Sequence, residues 1–289
     1  MLPFAAMQGE VGVKIGVFDS GIGGLTVLSA LTKIAPGHDY LYLGDTARVP
    51  YGTRSDLTVV RYSLSVASHL AAQGVTCIVV ACNTASTYAL PALQAACSPL
   101  GIDVIGVIGP GVAAALSAYQ GGSIVVLGTE GTIRGHAYQR ALMSTRPELH
   151  VIGLPCPLFV PLAEEGWVDG DIPAAIALRY LTPILGQSGV VILGCTHYPL
   201  LIPVLKEVLP NAMLIDSAKA TAQVVAERFG GQNSAGTVEF QVTDHIDRFC
   251  RVGTRFLGFA PTNVTWVDLA APSGSFANAL ASHTEQVSS

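Results

Sequence analysis

Two of the six cysteines occupy equivalent places in the chain. Cys82 follows the apolar run Val79-Val80-Ala81 and precedes Asn83-Thr84. Cys195 follows Val190-Val191-Ile192-Leu193-Gly194 and precedes Thr196-His197-Tyr198-Pro199. Each apolar run reads as a buried strand, and the polar residues after it read as the start of a helix. A thiol at a helix N-terminus meets the positive end of the backbone dipole, which favours its anion. A thiolate can take a proton and a thiol can give one. Two such groups, placed alike in two parts of one chain, suggest chemistry that acts on two sides of a single atom. His197, two residues from a thiol, can stabilise a thiolate or shuttle its proton, or it can merely cap its helix. Cys77, Cys97, Cys156 and Cys250 lack this placement and read as core or helix-face residues.

Other polar groups stand at the ends of apolar runs. Asp19-Ser20-Gly21-Ile22-Gly23-Gly24 resembles a dinucleotide-binding turn, but the third glycine of that pattern would fall on Thr26. Asp19 would also repel a pyrophosphate. A tight strand-to-helix turn accounts for the glycines. It does not account for a carboxylate directly after an apolar strand, which could hold an ammonium group or orient a thiol. Pro50-Tyr51-Gly52 reads as a turn, or as a loop that presents backbone amides to a carboxylate. Asp45 and Glu164 read as solvated on sequence grounds alone. Cys82, Cys195, His197 and Asp19 could in principle hold a metal ion. Zinc sites usually draw on close pairs such as CxxC, which this chain lacks. Lys14, Lys33, Lys206 and Lys219 are the only lysines, and none sits at a strand-end motif where a pyridoxal Schiff base would need it.

The elements that must position these groups alternate strand and helix. Lys14 to Phe18, Tyr40 to Leu43, the run ending at Cys82 and Val104 to Ile108 read as strands, with helices between them. The pattern restarts at Ser123 to Leu127, which ends in Gly128-Thr129, and leads through His150 to Leu154 to the strand before Cys195. Such alternation predicts parallel, doubly wound sheets. Asp19 and Cys82 lie 63 positions apart, and Thr129 and Cys195 lie 66 apart. The near-equal spacing suggests a diverged duplication, with both strand-end thiols facing one cleft. Residues 1–108 with 215–270 are assigned to a first domain, 109–214 to a second, and the Ser/Ala-rich stretch 271–289 to a loose tail.

Composition excludes several classes. Half of the 289 residues are hydrophobic and 12% are charged, which supports a large core. A net charge of −5 without a Lys/Arg run argues against nucleic acid and anionic membrane as partners. Gly and Pro interrupt every apolar run before the roughly 18 residues of a membrane helix. Residues 1–13 lack the basic start and apolar core of a signal peptide. The six cysteines therefore read as reduced thiols of a cytoplasmic protein.

Taken in order, Asp19-Ser20-Gly21-Ile22-Gly23-Gly24-Leu25, Gly44-Asp45-Thr46-Ala47-Arg48-Val49-Pro50-Tyr51-Gly52, Cys82-Asn83-Thr84-Ala85 and Gly194-Cys195-Thr196-His197-Tyr198-Pro199 resemble the glutamate racemase family from about Lys14 to Leu269. The resemblance implies two α/β domains related by a pseudo-twofold, with glutamate between them, and a homodimer. It implies racemisation without a cofactor, with Cys82 and Cys195 as the two bases, Asp19 assisting Cys82 and His197 assisting Cys195. Substrate contacts are implied at Asp19, Ser20, Pro50, Tyr51, Gly52, Asn83, Thr84, Thr129, Thr196 and His197, and supporting roles at Asp45 and Glu164. The implied biological role is supply of D-glutamate for peptidoglycan. Proton-transfer chemistry agrees, since inversion needs a proton to leave one face while another arrives on the opposite face. Two rivals stand beside this reading. One is the same chemistry on aspartate or another acidic amino acid. The other is a non-catalytic protein that binds an amino acid or DNA gyrase.

Overall fold

A computed structural model describes residues 13–186, 188–230 and 236–288. The expectation that no signal peptide is present falls on residues 1–13, of which 1–12 lie outside this range. In chain order the elements are β1 (Lys14–Asp19), α1 (Leu25–Ile34), β2 (Asp39–Gly44), α2 (Asp56–Ala72), β3 (Cys77–Val80), α3 (Asn83–Tyr88), α4 (Leu90–Cys97) and β4 (Asp103–Gly106). Next come α5 (Ile108–Ala118), β5 (Ser123–Gly128), α6 (Glu130–Arg134), α7 (Ala137–Thr145), β6 (His150–Pro155), α8 (Phe159–Glu165), α9 (Asp171–Leu181) and β7 (Ser188–Gly194). The chain continues through α10 (Ile202–Val208), β8 (Met213–Asp216), α11 (Ser217–Phe229), β9 (Val238–Val242), α12 (Ile246–Leu257), β10 (Val264–Trp266) and α13 (Gly274–Ser288).

Among the described residues these strands form two parallel sheets, ordered β10-β9-β2-β1-β3-β4 and β6-β5-β7-β8. Successive side chains of a strand point to opposite faces, and both faces are covered at the central strands, so β1, β2, β3, β5 and β7 are largely apolar. Ile15, Val17, Tyr40 and Tyr42 pack one face of the first sheet against α1, α11 and α12. Phe18, Leu41, Leu43, Ile78 and Val80 pack the other face against α2, α4 and α13. The second sheet divides likewise, with Val125, Leu127, Val191 and Leu193 on one face and Ile124, Val126, Val190 and Ile192 on the other.

Register places the chemistry. β1 pairs with β2 on one side and β3 on the other, so the chain reverses direction across the sheet at β1/β3. Phe18 lies opposite Val80, and the Asp19 turn and Cys82 emerge side by side. In the second sheet Gly128 lies opposite Gly194, so Thr129 and Cys195 emerge together. Open α/β sheets bind ligands beyond such reversal points.

Three segments differ from the sequence reading. Residues 271–289, expected as a loose tail, contain α13, whose Phe276 is buried with Ala279 and Leu280 against α2 and α4. Those three residues recur at helical spacing, and this stripe is what the Ser/Ala-rich composition hid. The strand expected to run to Ile108 stops at Gly106, and Ile108 opens α5. Gly109-Pro110-Gly111 looks like a break, yet proline is tolerated in a first helical turn, where its missing N–H has no partner to lose. β9 was not anticipated, although Val238, Phe240 and Val242 alternate with polar residues in the expected period of two.

Candidate active site

A cavity of about 200 Å³ lies between the carboxyl ends of the two sheets. Cys82 and Cys195 both line it, each 6% exposed. Ser20, Pro50, Tyr51 and Gly52 line it from the first sheet's loops, together with Asn83 and Thr84 from α3. Thr129, Glu164, Thr196 and His197 line it from the second sheet's side. Asp19 and Asp45 stand behind its wall.

The halves interlock around the thiols. Asn83 and Thr84, after Cys82, face the turn after β5: the Thr84, Thr129 and Thr132 hydroxyls form a cluster, with Thr84 Oγ1 2.9 Å from Thr129 Oγ1. Thr196 and His197, after Cys195, face the turn after β1. A Cβ on Gly23 would lie 2.4 Å from His197 Nδ1, so only glycine fits there. Thr26 Oγ1 donates across the same contact to the Thr196 carbonyl at 3.0 Å. Each thiol motif thus packs on the opening turn of the other half.

The two thiols sit in unlike surroundings. Cys82 caps α3, its Sγ accepting from the Ala85 N–H at 3.4 Å and lying 3.5 Å from Ser20 Oγ. Burial, reinforced by the charge of Asp19, pushes this thiol up to about 12, so it holds its proton at neutral pH. Cys195 Sγ lies 3.8 Å from His197 Nδ1, and His197 Nε2 lies 3.0 Å from Glu164 Oε1. Burial alone would push the imidazole down, but its bonds to Cys195 and Glu164 prevail and push it up to about 10. A charged imidazolium therefore faces the Cys195 sulfur. Burial would likewise raise Glu164, but its bonds to His197 and Arg248 hold the carboxyl below the usual range.

Asp19 touches its own turn. Its Oδ2 accepts from the Gly21 N–H at 2.9 Å, and its buried Oδ1 has no partner. Burial pushes this carboxyl up, against the pull of the His197 charge. Its influence on Cys82 is electrostatic. Asp45, also fully buried, accepts from Arg48, from the Tyr51 hydroxyl and from Thr243, and so fixes the loop that carries Pro50, Tyr51 and Gly52. Tyr51 opens a single 3-10 turn, whose leading amides have no partner within the turn. Asp45 is fully buried and Glu164 is half-buried in ion pairs, where the sequence context suggested solvated carboxylates.

Several contributors carry no sequence signal. Arg248 donates to Glu164 Oε2 at 2.8 Å and Arg255 to the Glu164 carbonyl, both from α12. The Phe256 ring meets the His197 ring edge-on at 5.1 Å between centroids. Tyr138 donates to Asn83 Oδ1 at 2.8 Å. Arg248 and Glu164 lie 84 positions apart, and only the fold joins them. Val49, Pro157, Val160 and Pro161 add apolar wall. Among the described residues, no three of His, Cys, Asp or Glu are grouped to hold a metal ion.

The chain resembles known proteins in sequence and in fold. The Asp/Glu/Hydantoin racemase family matches residues 21–225. A glutamate racemase of Geobacter metallireducens is 48% identical over 266 residues, spanning 89% of this chain and 97% of the relative. The crystal structure of glutamate racemase from Francisella tularensis in complex with D-glutamate matches with a TM-score of 0.81 at 34% identity, over 89% of this chain and 98% of that one. A glutamate racemase isoform of Bacillus anthracis gives a TM-score of 0.83 at 35% identity, over 90% of this chain and 99% of its own. The family match over most of the chain, the shared fold and the near-complete mutual coverage lead to one assignment: the chain belongs to the Asp/Glu/Hydantoin racemase family.

Proposed function

We propose that this chain is a glutamate racemase that works without a cofactor, Cys82 and Cys195 moving the α-proton on opposite faces of the substrate. The observation that carries the reading is a single cavity lined by two buried thiols from the two different sheets. The relatives' names supply the substrate, and one of them is described with D-glutamate bound. In this reading one lobe carries the sheet β10-β9-β2-β1-β3-β4 and the other the sheet β6-β5-β7-β8, so the boundary expected at 214/215 falls after β8, at Asp216.

In the L-to-D direction, the Cys195 thiolate takes the α-proton of L-glutamate beside the His197 imidazolium. The protonated Cys82 delivers its own proton to the opposite face, and the D-to-L direction reverses these roles. No net proton is consumed. Asn83, Thr84 and Thr129 surround the α-carboxylate and stabilise the charge that develops beside it. Ser20 and the Tyr51–Gly52 amides receive the side-chain carboxylate. The need for two free thiols fits a reducing, cytoplasmic setting, where the D-glutamate supplies peptidoglycan synthesis.

Polarimetry of L-glutamate with the purified chain tests the reading. Rotation should decay to zero without pyridoxal phosphate and in the presence of a metal chelator, and should persist with Cys195→Ala. Persistent rotation with the unaltered chain, or full activity in Cys195→Ala, contradicts it.

A further inference from the structure

Asn83 is 3% exposed, lines the cavity, and leaves its Nδ2 buried without a hydrogen-bond acceptor. A buried donor left unpaired is costly, and at a cavity wall it stands ready for an acceptor on a ligand. Which end of the amide faces the cavity is not intrinsic to asparagine. The oxygen and nitrogen ends are nearly the same shape, and the surrounding hydrogen bonds decide between them.

Here one residue decides. The Tyr138 hydroxyl donates to Asn83 Oδ1 at 2.8 Å, from α7 of the second half to α3 of the first. Tyr138 is wholly buried and does not line the cavity. The Ser217 side chain lies beside the same phenol, and a proton given by its hydroxyl to the phenol oxygen would leave the phenol proton for Asn83. Gly111 leaves room for this pair: a Cβ there would lie 3.2 Å from Ser217 Cβ and 3.3 Å from the Tyr138 hydroxyl oxygen.

We propose that Tyr138, backed by Ser217, is a positioning residue that holds the Asn83 amide with its NH₂ group toward the cavity, where it receives a carboxylate oxygen of the amino-acid substrate. This inference rests on the racemase reading above. Without the phenol, Asn83 Oδ1 loses its partner and the amide is free to turn. It would then present an oxygen to the substrate's anionic oxygen, and binding would weaken. The α-carboxylate is charged in the ground state and gains charge as the α-proton leaves, so the loss shows in KM and in kcat/KM.

The test compares kcat and KM for L-glutamate in the unaltered protein, Tyr138→Phe, Asn83→Ala and the double variant. Tyr138→Phe should raise KM severalfold and lower kcat/KM roughly tenfold or more, as expected for a misdirected buried hydrogen bond. The double variant should be no worse than Asn83→Ala, because Tyr138 acts through Asn83. A purely structural tyrosine would give the same loss on both backgrounds, and that result overturns the proposal. So does an unchanged KM in Tyr138→Phe. If Tyr138→Phe shows no cooperative melt, Ser217→Ala carries the test: a severalfold rise in KM supports the proposal and an unchanged KM overturns it. Failure of the racemase reading is separately visible, because the unaltered protein would then not racemise glutamate at all.

Discussion

His197 carries the asymmetry between the two thiols. Its imidazole, up to about 10 in the fold, would titrate near its ordinary 6.5 in the unfolded chain. The folded state therefore binds that proton more tightly. The resulting stability is fully present below about pH 6.5 and lost as pH rises toward 10. Glu164→Gln removes the anion beside His197 and leaves Arg248 unpaired. It should lower stability at neutral pH by about 1–3 kcal/mol and flatten the loss between neutral pH and pH 10. Denaturant melts at the two pH values check both effects, and equal curves for the two proteins would contradict the account. Much of this site was legible in the residues, because Cys82, Cys195 and His197 follow strand-end runs that local pattern reveals. The burial of Asp45 and Glu164 was not legible. Their partners Thr243 and Arg248 are 198 and 84 positions away, and only tertiary packing takes these carboxylates partly or wholly out of solvent.

At the level of elements, the glycine turns set the distance between thiol and thiol. Gly23→Ala would drive a methyl group into Thr196 Oγ1 and His197 Nδ1, where the ideal Cβ lies within 2.4 Å of both. The side-chain ring and the turn cannot both stay in place. Displacement by about 1 Å can cost on the order of 100-fold in rate, and kcat/KM in Gly23→Ala should fall by that order while the protein still melts cooperatively. Helix α13 belongs to stability instead, since Phe276 fills the face between α2 and α4 away from the cavity. Phe276→Ala should cost about 3 kcal/mol with KM unchanged. A shifted KM would show that α13 reaches the site. The central strands were readable because a doubly covered sheet demands continuous apolar runs, whereas β9 alternates with polar residues and was not. Helices α5 and α13 were not. In α5 a proline and two glycines imitate a break, and in α13 small residues dilute the apolar stripe.

Across the whole molecule, two sheets meet with their carboxyl ends converging, and each thiol motif packs on the opening turn of the other half. That exchange makes the cavity a property of both halves together. The two environments differ: a threonine cluster lies beside Cys82, and a charged His197–Glu164–Arg248 chain lies beside Cys195. The enantiomers have equal free energy, so kcat/KM must match in the two directions whatever the asymmetry of the bases. Isotope transfer reports the bases directly. The decisive measurement is the first few per cent of turnover of L-glutamate, and separately of D-glutamate, in heavy water. Two opposed thiols predict solvent deuterium at the α-carbon of every product molecule and none in the remaining substrate. Product that keeps its original hydrogen, or substrate labelled as fast as product forms, would mean that one base serves both faces and would contradict the account.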